Sequence, residues 1–304
     1  MIIYSIIKKS QLEGAQRLDA EYYCSPRLLS GDDFYTGAEV TRFVQYGTSE
    51  ELNEENKGYP ILRLNEFEEY FSGIPTKSCE KLNERQFEKL KLKRDDVLIT
   101  RTNGNPALVG KAALVMKDSD IAFASYLFRI RPEKAKINSA TLVAFLDSKF
   151  GRSEIEKYLM PSIQSNFSPA KFREIKIPKF PDVFQQEIDN SFNKAYSELQ
   201  NSKSLYSQAE NLLLEELGLK DFESENKLWS VVDLSEVKNA GRMDSEYFQS
   251  KFEILINRVA RKTNTKRLED IFDFRRGIFI PTDYYREKKT PVPYIRIKEL
   301  ANHG

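Results

Sequence analysis

From Asp182 to Leu217 the sequence runs for about 36 residues without a proline or a glycine, and nothing else in the chain restricts its fold so strongly. Asp182 can serve as an N-cap with Gln185 three positions on, and Pro178 and Pro181 exclude an earlier start. At the other end Gly218 and Leu219 supply a left-handed C-cap and its hydrophobic contact. At 1.5 Å per residue this is a rod of roughly 54 Å, far longer than the average globular helix. Two heptad series run along it: Phe192, Leu199, Tyr206 and Leu213, and Ile188, Ala195, Ser202 and Ala209. Large and small residues alternate at three- and four-residue steps, which predicts a partner helix that the small residues allow to come close. The competing expectation is a helix packed on its own domain.

Upstream, between residue 40 and about 178, YPILRL (59–64), DVLIT (96–100), KAALVM (111–116) and YLFRI (126–130) read as strands separated by turn-forming residues. NERQFEKLKL (83–92) and SATLVAFLDSKFGRSEIEKYL (139–159) read as helices, the second with Leu142, Val143, Leu146 and Phe150 on one face. The fold expected is an α/β (α+β) domain, then the long coiled-coil-forming helix, then the start of a second similar domain. The boundaries are 1–178, 179–219 and, after the polar linker KDFESENK, 220–304.

That second start rests on repetition. RMDSEYF (242–248) echoes RLDAEYY (17–23), setting Arg242 on Arg17, Asp244 on Asp19, Glu246 on Glu21, Tyr247 on Tyr22 and Phe248 on Tyr23. FDFRRG (272–277) then parallels FVQYG (43–47), and VPYIRIKEL (292–300) parallels YPILRLNEF (59–67), with Arg296 on Arg63 and Glu299 on Glu66. Three echoes in one order indicate two like halves, the second about 100 residues short of completion by analogy with the first.

Several chemistries lack an anchor. The sole histidine is His303, and the two cysteines, Cys24 and Cys79, form neither a disulfide framework nor a CxxC pair, so a histidine triad and a zinc site are poorly supported. Phosphate-binding GxxxxGK[ST] and GxGxxG patterns are missing. Asn105 and Pro106 begin like an amino-methyltransferase loop, but Ala107 and Leu108 do not continue it; Asp95 and Asp96 read as solvated turn residues. The N-terminal MIIYSIIKKS is apolar for only about seven residues and no run approaches ~20, so no membrane association is expected and the location expected is cytoplasmic. The net charge of +1 neither requires nor forbids a nucleic-acid partner, because a balanced total can hide a basic face.

Two polar loops have the chemistry to read DNA. TRTNGNPALVGK (100–111) carries Arg101, Asn103, Asn105 and Lys111 beside permissive glycines, and QSNFSPAK (164–171) carries Gln164, Ser165, Asn166, Ser168 and Lys171. Arg pairs with guanine edges and Asn or Gln with adenine, while Lys and Ser hold phosphates. Tyr46, Thr48, Arg63 and Asn65 complete the set of candidate contacts.

QSNFSPAKFREIKIPKFPDVFQQEI (164–188) resembles the segment that closes a target recognition domain and opens the helix in specificity subunits of type I restriction-modification systems. The matching elements are Gln164, Asn166, Phe167 and Ser168, then Ile175, Ile177 and Pro178, then Pro181, then Gln185 and Gln186. DDVLITRTNGNPALVGKAALV (95–115) is similar to that family's strand and loop of the form D-[IV]-L-[IV]-[ST]-R followed by Gly and V-G-K. The resemblance implies a non-catalytic subunit without a cofactor of its own. Each recognition domain would read half of a split sequence in double-stranded DNA, and two long antiparallel helices would fix the gap. Methylation subunits would supply S-adenosylmethionine chemistry, and a restriction subunit would bring ATP and Mg. The shortened second half fits a trimmed chain, a truncated gene product, or a half-subunit that self-associates through its helix. Two other readings are a DNA adenine methyltransferase with its own recognition domain and a coiled-coil scaffold with no DNA role.

Overall fold

A computed structural model describes residues 33–159, 165–223 and 229–285, with Ile6, Lys8, Lys9 and Tyr294. The echo at 17–23 and the positions Cys24, Gln164, Arg296, Glu299 and His303 lie outside those residues. Contacts divide the chain into two units, Met1–Ser204 and Leu205–Gly304.

The strands of the first unit are β1 (Phe34–Thr36), β2 (Thr41–Tyr46), β3 (Tyr59–Leu62), β4 (Phe67–Glu68), β5 (Phe71–Ser72), β6 (Ser78–Cys79), β7 (Val97–Thr100), β8 (Thr102–Asn103), β9 (Ala112–Leu114), β10 (Ala122–Phe123), β11 (Leu127–Pro132), β12 (Ser165–Asn166) and β13 (Lys176–Pro178). The main sheet runs β2-β11-β7-β9-β5-β4, beside a smaller β10-β3-β6 sheet and the pairs β1-β13 and β12-β8. In β7 the residues Val97, Leu98, Ile99 and Thr100 are all buried, which requires cover on both faces of the sheet. Side-chain alternation sends Val97 and Ile99 into one core with Phe128, Ile130, Leu142 and Leu146. It sends Leu98 into the other, with Leu127, Phe123, Ile61 and Phe87.

Helix α1 (Glu84–Leu90) begins where the sequence predicts, with Asn83 and Gln86 exchanging side-chain-to-backbone bonds of 2.9 and 3.1 Å. The helix expected over 139–159 breaks in two, α2 (Ser139–Asp147) and α3 (Lys149–Glu156). Ser148 ends the first and caps the second, accepting from Gly151 N at 3.2 Å, and a Cβ on Gly151 would lie 2.0 Å from the Phe145 carbonyl. The break turns Phe150 outward: Leu142, Val143 and Leu146 are buried, but Phe150 is 44% exposed.

After α4 (Pro169–Glu174) comes the unbroken rod, α5 (Asp182–Glu216). Gln185 does not fold back on the helix start as a capping partner. It is buried, with its Oε1 accepting from Asn138 N (2.8 Å) and its Nε2 donating to the Phe180 carbonyl (3.0 Å), so it pins the rod to the domain. The far end is a Schellman motif: Gly218 takes φ +68°, Leu219 N donates to Leu214 O at 2.7 Å and Gly218 N to Glu215 O at 3.0 Å.

The second unit contains α6 (Leu234–Ala240) and α7 (Ser250–Lys262). Among its described residues there is no strand, and none is buried. Within RMDSEYF, Arg242 pairs with Asp244 (2.8 and 3.0 Å) and lies over the Tyr247 ring (4.6 Å), while Tyr247 N donates to Asp244 Oδ1. The echoed letters Arg, Asp and Tyr thus form one local clasp.

Candidate nucleic-acid interface

Strand pairing gathers the candidate residues at one end of the main sheet. Tyr46 lies opposite Phe128, and Thr100 opposite Leu127, so the chain leaves β2 and β7 at the end where it enters β11. Ala124 N donates to Leu62 O, which brings Arg63 and Asn65 to that end as well. Arg101 follows β7: its N–H donates to Tyr126 O (2.8 Å) and its guanidinium stacks over the Tyr46 ring at 5.3 Å.

The two polar loops lie side by side. Asn103 pairs with Ser165 and Thr102 with Asn166 across β8 and β12, and Phe167 N donates to Arg101 O at 2.8 Å. Phe167 itself is fully buried against Phe128 and Phe172, which fixes the second loop to the core. Asn103 Oδ1 accepts from Asn105 N, and Asn105 Oδ1 from Ala107 N, so both carboxamide oxygens shape the turn. Their Nδ2 groups carry no bond among the described residues. Ser168 caps α4 by accepting from Lys171 N, and Lys171 Nζ donates to Asn166 O. Lys111 is half-buried, its carbonyl accepting from Thr100 N. Thr48 holds Phe123 and Ser125 through its backbone, and Gly47 passes so near Phe123 that a Cβ would fall 2.3 Å from its carbonyl oxygen.

Arg63 is already engaged. Its guanidinium bonds Glu66 (2.9 Å) and Thr76 (2.8 Å), and buried Glu66 also accepts from Arg63 N, Thr76 N and Thr76 Oγ1. Burial works against the Glu66 charge, but the bonds from Thr76 and Arg63 outweigh it and hold this carboxyl below its ordinary range. Asn65 is exposed beside this cluster. Tyr126, a strand residue by its sequence pattern, is 54% exposed at the same end as Tyr46. The Nε of Arg101 is buried and has no partner among the described residues. An exposed aromatic pair, a stacked guanidinium and unpartnered amides can stack on bases and donate to their edges.

The opposite end of the sheet corrects an expectation. Asp96 is not a solvated turn residue but 1% exposed, paired with Arg129 (3.0 Å) and with Arg131 (2.6 Å). Arg129, buried as deeply, also donates to the Lys91 and Lys89 carbonyls and to Gln45, and its burial pushes its pKa down. Asp95 remains nearer the surface, paired with Lys134.

The rod's two series take different roles. Phe192 and Leu199, with Ile188 and Tyr196, pack on the domain's core; Phe192 meets Tyr70 and Phe71, and Tyr196 meets Phe71 at 5.2 Å. Lys203 extends this face with an ion pair to Glu68. Ile188, Phe192 and Leu199 therefore serve their own domain: Phe71 of β5 lies against Phe192, and Ile188 lines an apolar groove with Phe145, Phe180 and Phe184. Ala195, Ser202, Tyr206, Ala209 and Leu213 are exposed, as are Leu205 and Leu212.

Among the described residues no group of His, Cys, Asp and Glu could hold a metal ion, and no helix is long and apolar enough to cross a membrane.

No protein-family model matches the sequence. It is 26% identical over 126 residues to the type I restriction enzyme EcoKI specificity subunit of Escherichia coli (strain K12), covering 41% of this chain and 27% of that protein. It is 30% identical over 101 residues to the StySPI specificity subunit of Salmonella potsdam, covering 33% and 21%. The matches thus span about a quarter of the length of these curated relatives. Among solved structures, the type I restriction-modification S subunit from M. genitalium superposes with a TM-score of 0.44 and 14% identity, covering 64% of this chain and 47% of that one.

Proposed function

We infer that this chain, a relative of the specificity subunits of type I restriction enzymes, is the DNA-reading component of such a system. Its first unit reads one half of a split duplex target with the sheet end where Tyr46, Arg101, Tyr126 and the paired loops converge. Helix α5 is the spacer. Its exposed face, Ala195, Ser202, Leu205 and Ala209, takes a second helix, supplied by another copy when the chain acts as a half-subunit. At about 52 Å the rod spans roughly 15 base pairs, enough to hold two readers on one duplex. The chain performs no covalent chemistry. Methylation subunits dock on it and bring S-adenosylmethionine to the target adenine, and a restriction subunit with ATP and Mg completes the complex.

The observation that carries this reading is the pairing of β8 with β12. It joins the two segments whose sequences resemble the family's, beside the partly exposed Arg101. The test is co-expression with a methylation subunit of the same system, purification of the complex, and sequencing of the methylated DNA. Methylation at one defined bipartite sequence is expected. A complex that fails to form, or methylation without a bipartite site, overturns the proposal.

A further inference from the structure

The groove at the Asp96 end of the sheet has a volume of about 590 Å³ and is lined by Arg42, Phe43, Lys93, Arg94, Arg131 and Lys134. Its carboxylates are Asp95, Asp96 and Glu133, so five cations face three anions. The imbalance is built from the inside. Asp96 is one carboxylate shared by two guanidiniums, with Arg129 holding it from the core and Arg131 from the groove. One positive charge of that trio is left without a counterion; Arg129 and Asp96 are shielded from water, and Arg131, 35% exposed, presents the surplus to the groove. Nearer the surface Lys134 is neutralised by Asp95, but Arg42 and Lys93 have no ion pair among the described residues. Phe43 is partly exposed, and the guanidiniums of Arg131 and Arg129 both lie over its ring, at 5.1 and 5.4 Å. With Nε and Nη2 of Arg131 directed at Asp96, the side chain is held rigid while Nη1 has no partner among the described residues. A rigid guanidinium, two uncompensated cations and a surplus of charge are what a phosphate group requires.

We propose that this groove binds phosphates of the DNA sugar–phosphate backbone, at a place separate from the base-reading end. The assignment rests on the reading that this chain meets duplex DNA. From Tyr126 to Pro132 the chain covers about 20 Å, or roughly six base pairs of rise. Phe43 and Arg131 point to the face opposite Tyr46, but β2 is the edge strand, so a duplex lying along that edge is long enough to reach both ends. The reading end then contacts bases, and the groove holds the flanking backbone without regard to sequence.

The test is the salt dependence of binding of the full chain to a random duplex of about 20 base pairs, by fluorescence anisotropy, for the wild type and the double variant Arg42→Ala/Lys93→Ala. Both side chains are exposed, so an unchanged melting temperature checks the fold. The expected result is about tenfold weaker binding at low salt and a log–log salt slope shallower by about 1 for each phosphate that is no longer neutralised. If the wild type binds and the variant keeps its slope, the groove is not a backbone site, while the base-reading proposal stands. If calorimetry shows inorganic phosphate binding the wild type but not the variant, and the duplex slopes are equal, the ligand is free phosphate and the backbone assignment falls. A wild type that binds no duplex overturns the backbone assignment, while the base-reading proposal is decided separately by methylation in the assembled complex.

Discussion

The two ends of the main sheet are built from the same three strands and differ in how their polar groups are held. At the Asp96 end a buried guanidinium gathers the bonds: Arg129 alone donates to the side chains of Asp96 and Gln45 and to two backbone carbonyls. At the Tyr46 end the Arg63–Glu66–Thr76 cluster is held by side chains too, but the strand ends and the paired loops around Arg101 are held by the backbone, as in Arg101 N to Tyr126 O and Phe167 N to Arg101 O. The side chains of Tyr46 and Tyr126 are left half-exposed. One end is locked and the other presents donors and ring faces to whatever meets it. A rigid frame behind an exposed surface is what the base-reading role proposed for that end requires.

The largest effect expected is therefore at the locked end. Replacing Arg129 with Met leaves Asp96 buried with Arg131 as its one remaining cation and removes the donors to Lys89 and Lys91. Loss of one partner of a buried ion pair costs about 3–5 kcal/mol, so the urea midpoint should fall sharply. The double variant Arg129→Met/Asp96→Asn should lose less than the sum of the two single changes. A loss below about 1 kcal/mol for the single variant would mean that the two ends do not differ in this way.

At the open end the prediction reverses. Arg101→Ala should cost little stability, yet in the assembled complex it should weaken binding to the specific sequence by about 10- to 100-fold, and binding to random duplex much less. Competition binding with both duplexes separates the outcomes. Equal losses would reduce Arg101 to a phosphate contact.

The sequence makes the open end more legible than the locked one, for physical reasons. The polar runs TRTNGNPALVGK and QSNFSPAK stand out locally as loops, and β7, β9 and β11 declare themselves through apolar runs. The stretch 83–92 declares α1 through its apolar spacing, and Gly218 marks the end of the rod. The locked end depends on Asp96 meeting Arg129 across 33 positions, and no local pattern announces a buried carboxylate. The break at Ser148 is hidden because apolar periodicity continues through it, and only the pairing of a capping serine with Gly151 distinguishes two helices from one. Heptad periodicity likewise identifies an apolar rod without telling which series faces its own domain, since that depends on Phe71 and Tyr70 lying beneath Phe192. The first copy of the RLDAEYY echo, at 17–23, lies outside the described residues.

A third measurement asks whether the Arg63–Glu66–Thr76 cluster behaves as a locked element. The carboxyl of Glu66 is held below its ordinary range in the folded chain, so the folded state binds fewer protons there than the unfolded state does. Its contribution is complete above the unfolded value, near about 4.3, and is lost as pH falls through the lower folded value. The stability gap between wild type and Glu66→Gln should thus be constant near neutrality and should close in acid. A gap independent of pH would show that the carboxylate charge contributes nothing to holding Arg63.

The smallest effect on the fold is expected along the rod, where the same contrast between held and open surface recurs. Phe192 and Leu199 face the core, whereas Ala195 and Ala209 face outward with nothing packed on them among the described residues. Substituting Leu at both alanines should change the stability of the separate chain by no more than about 0.5 kcal/mol, because neither side chain enters the core. A second helix lying on that face would meet the added bulk and be forced away, an overpacking penalty of about 1–3 kcal/mol at each close approach. Sedimentation of wild type and variant across a range of concentrations distinguishes the cases. Association weakened in the variant, with an unchanged urea midpoint, identifies the alanine face as the pairing surface. Equal association in both places the partner helix elsewhere on the rod.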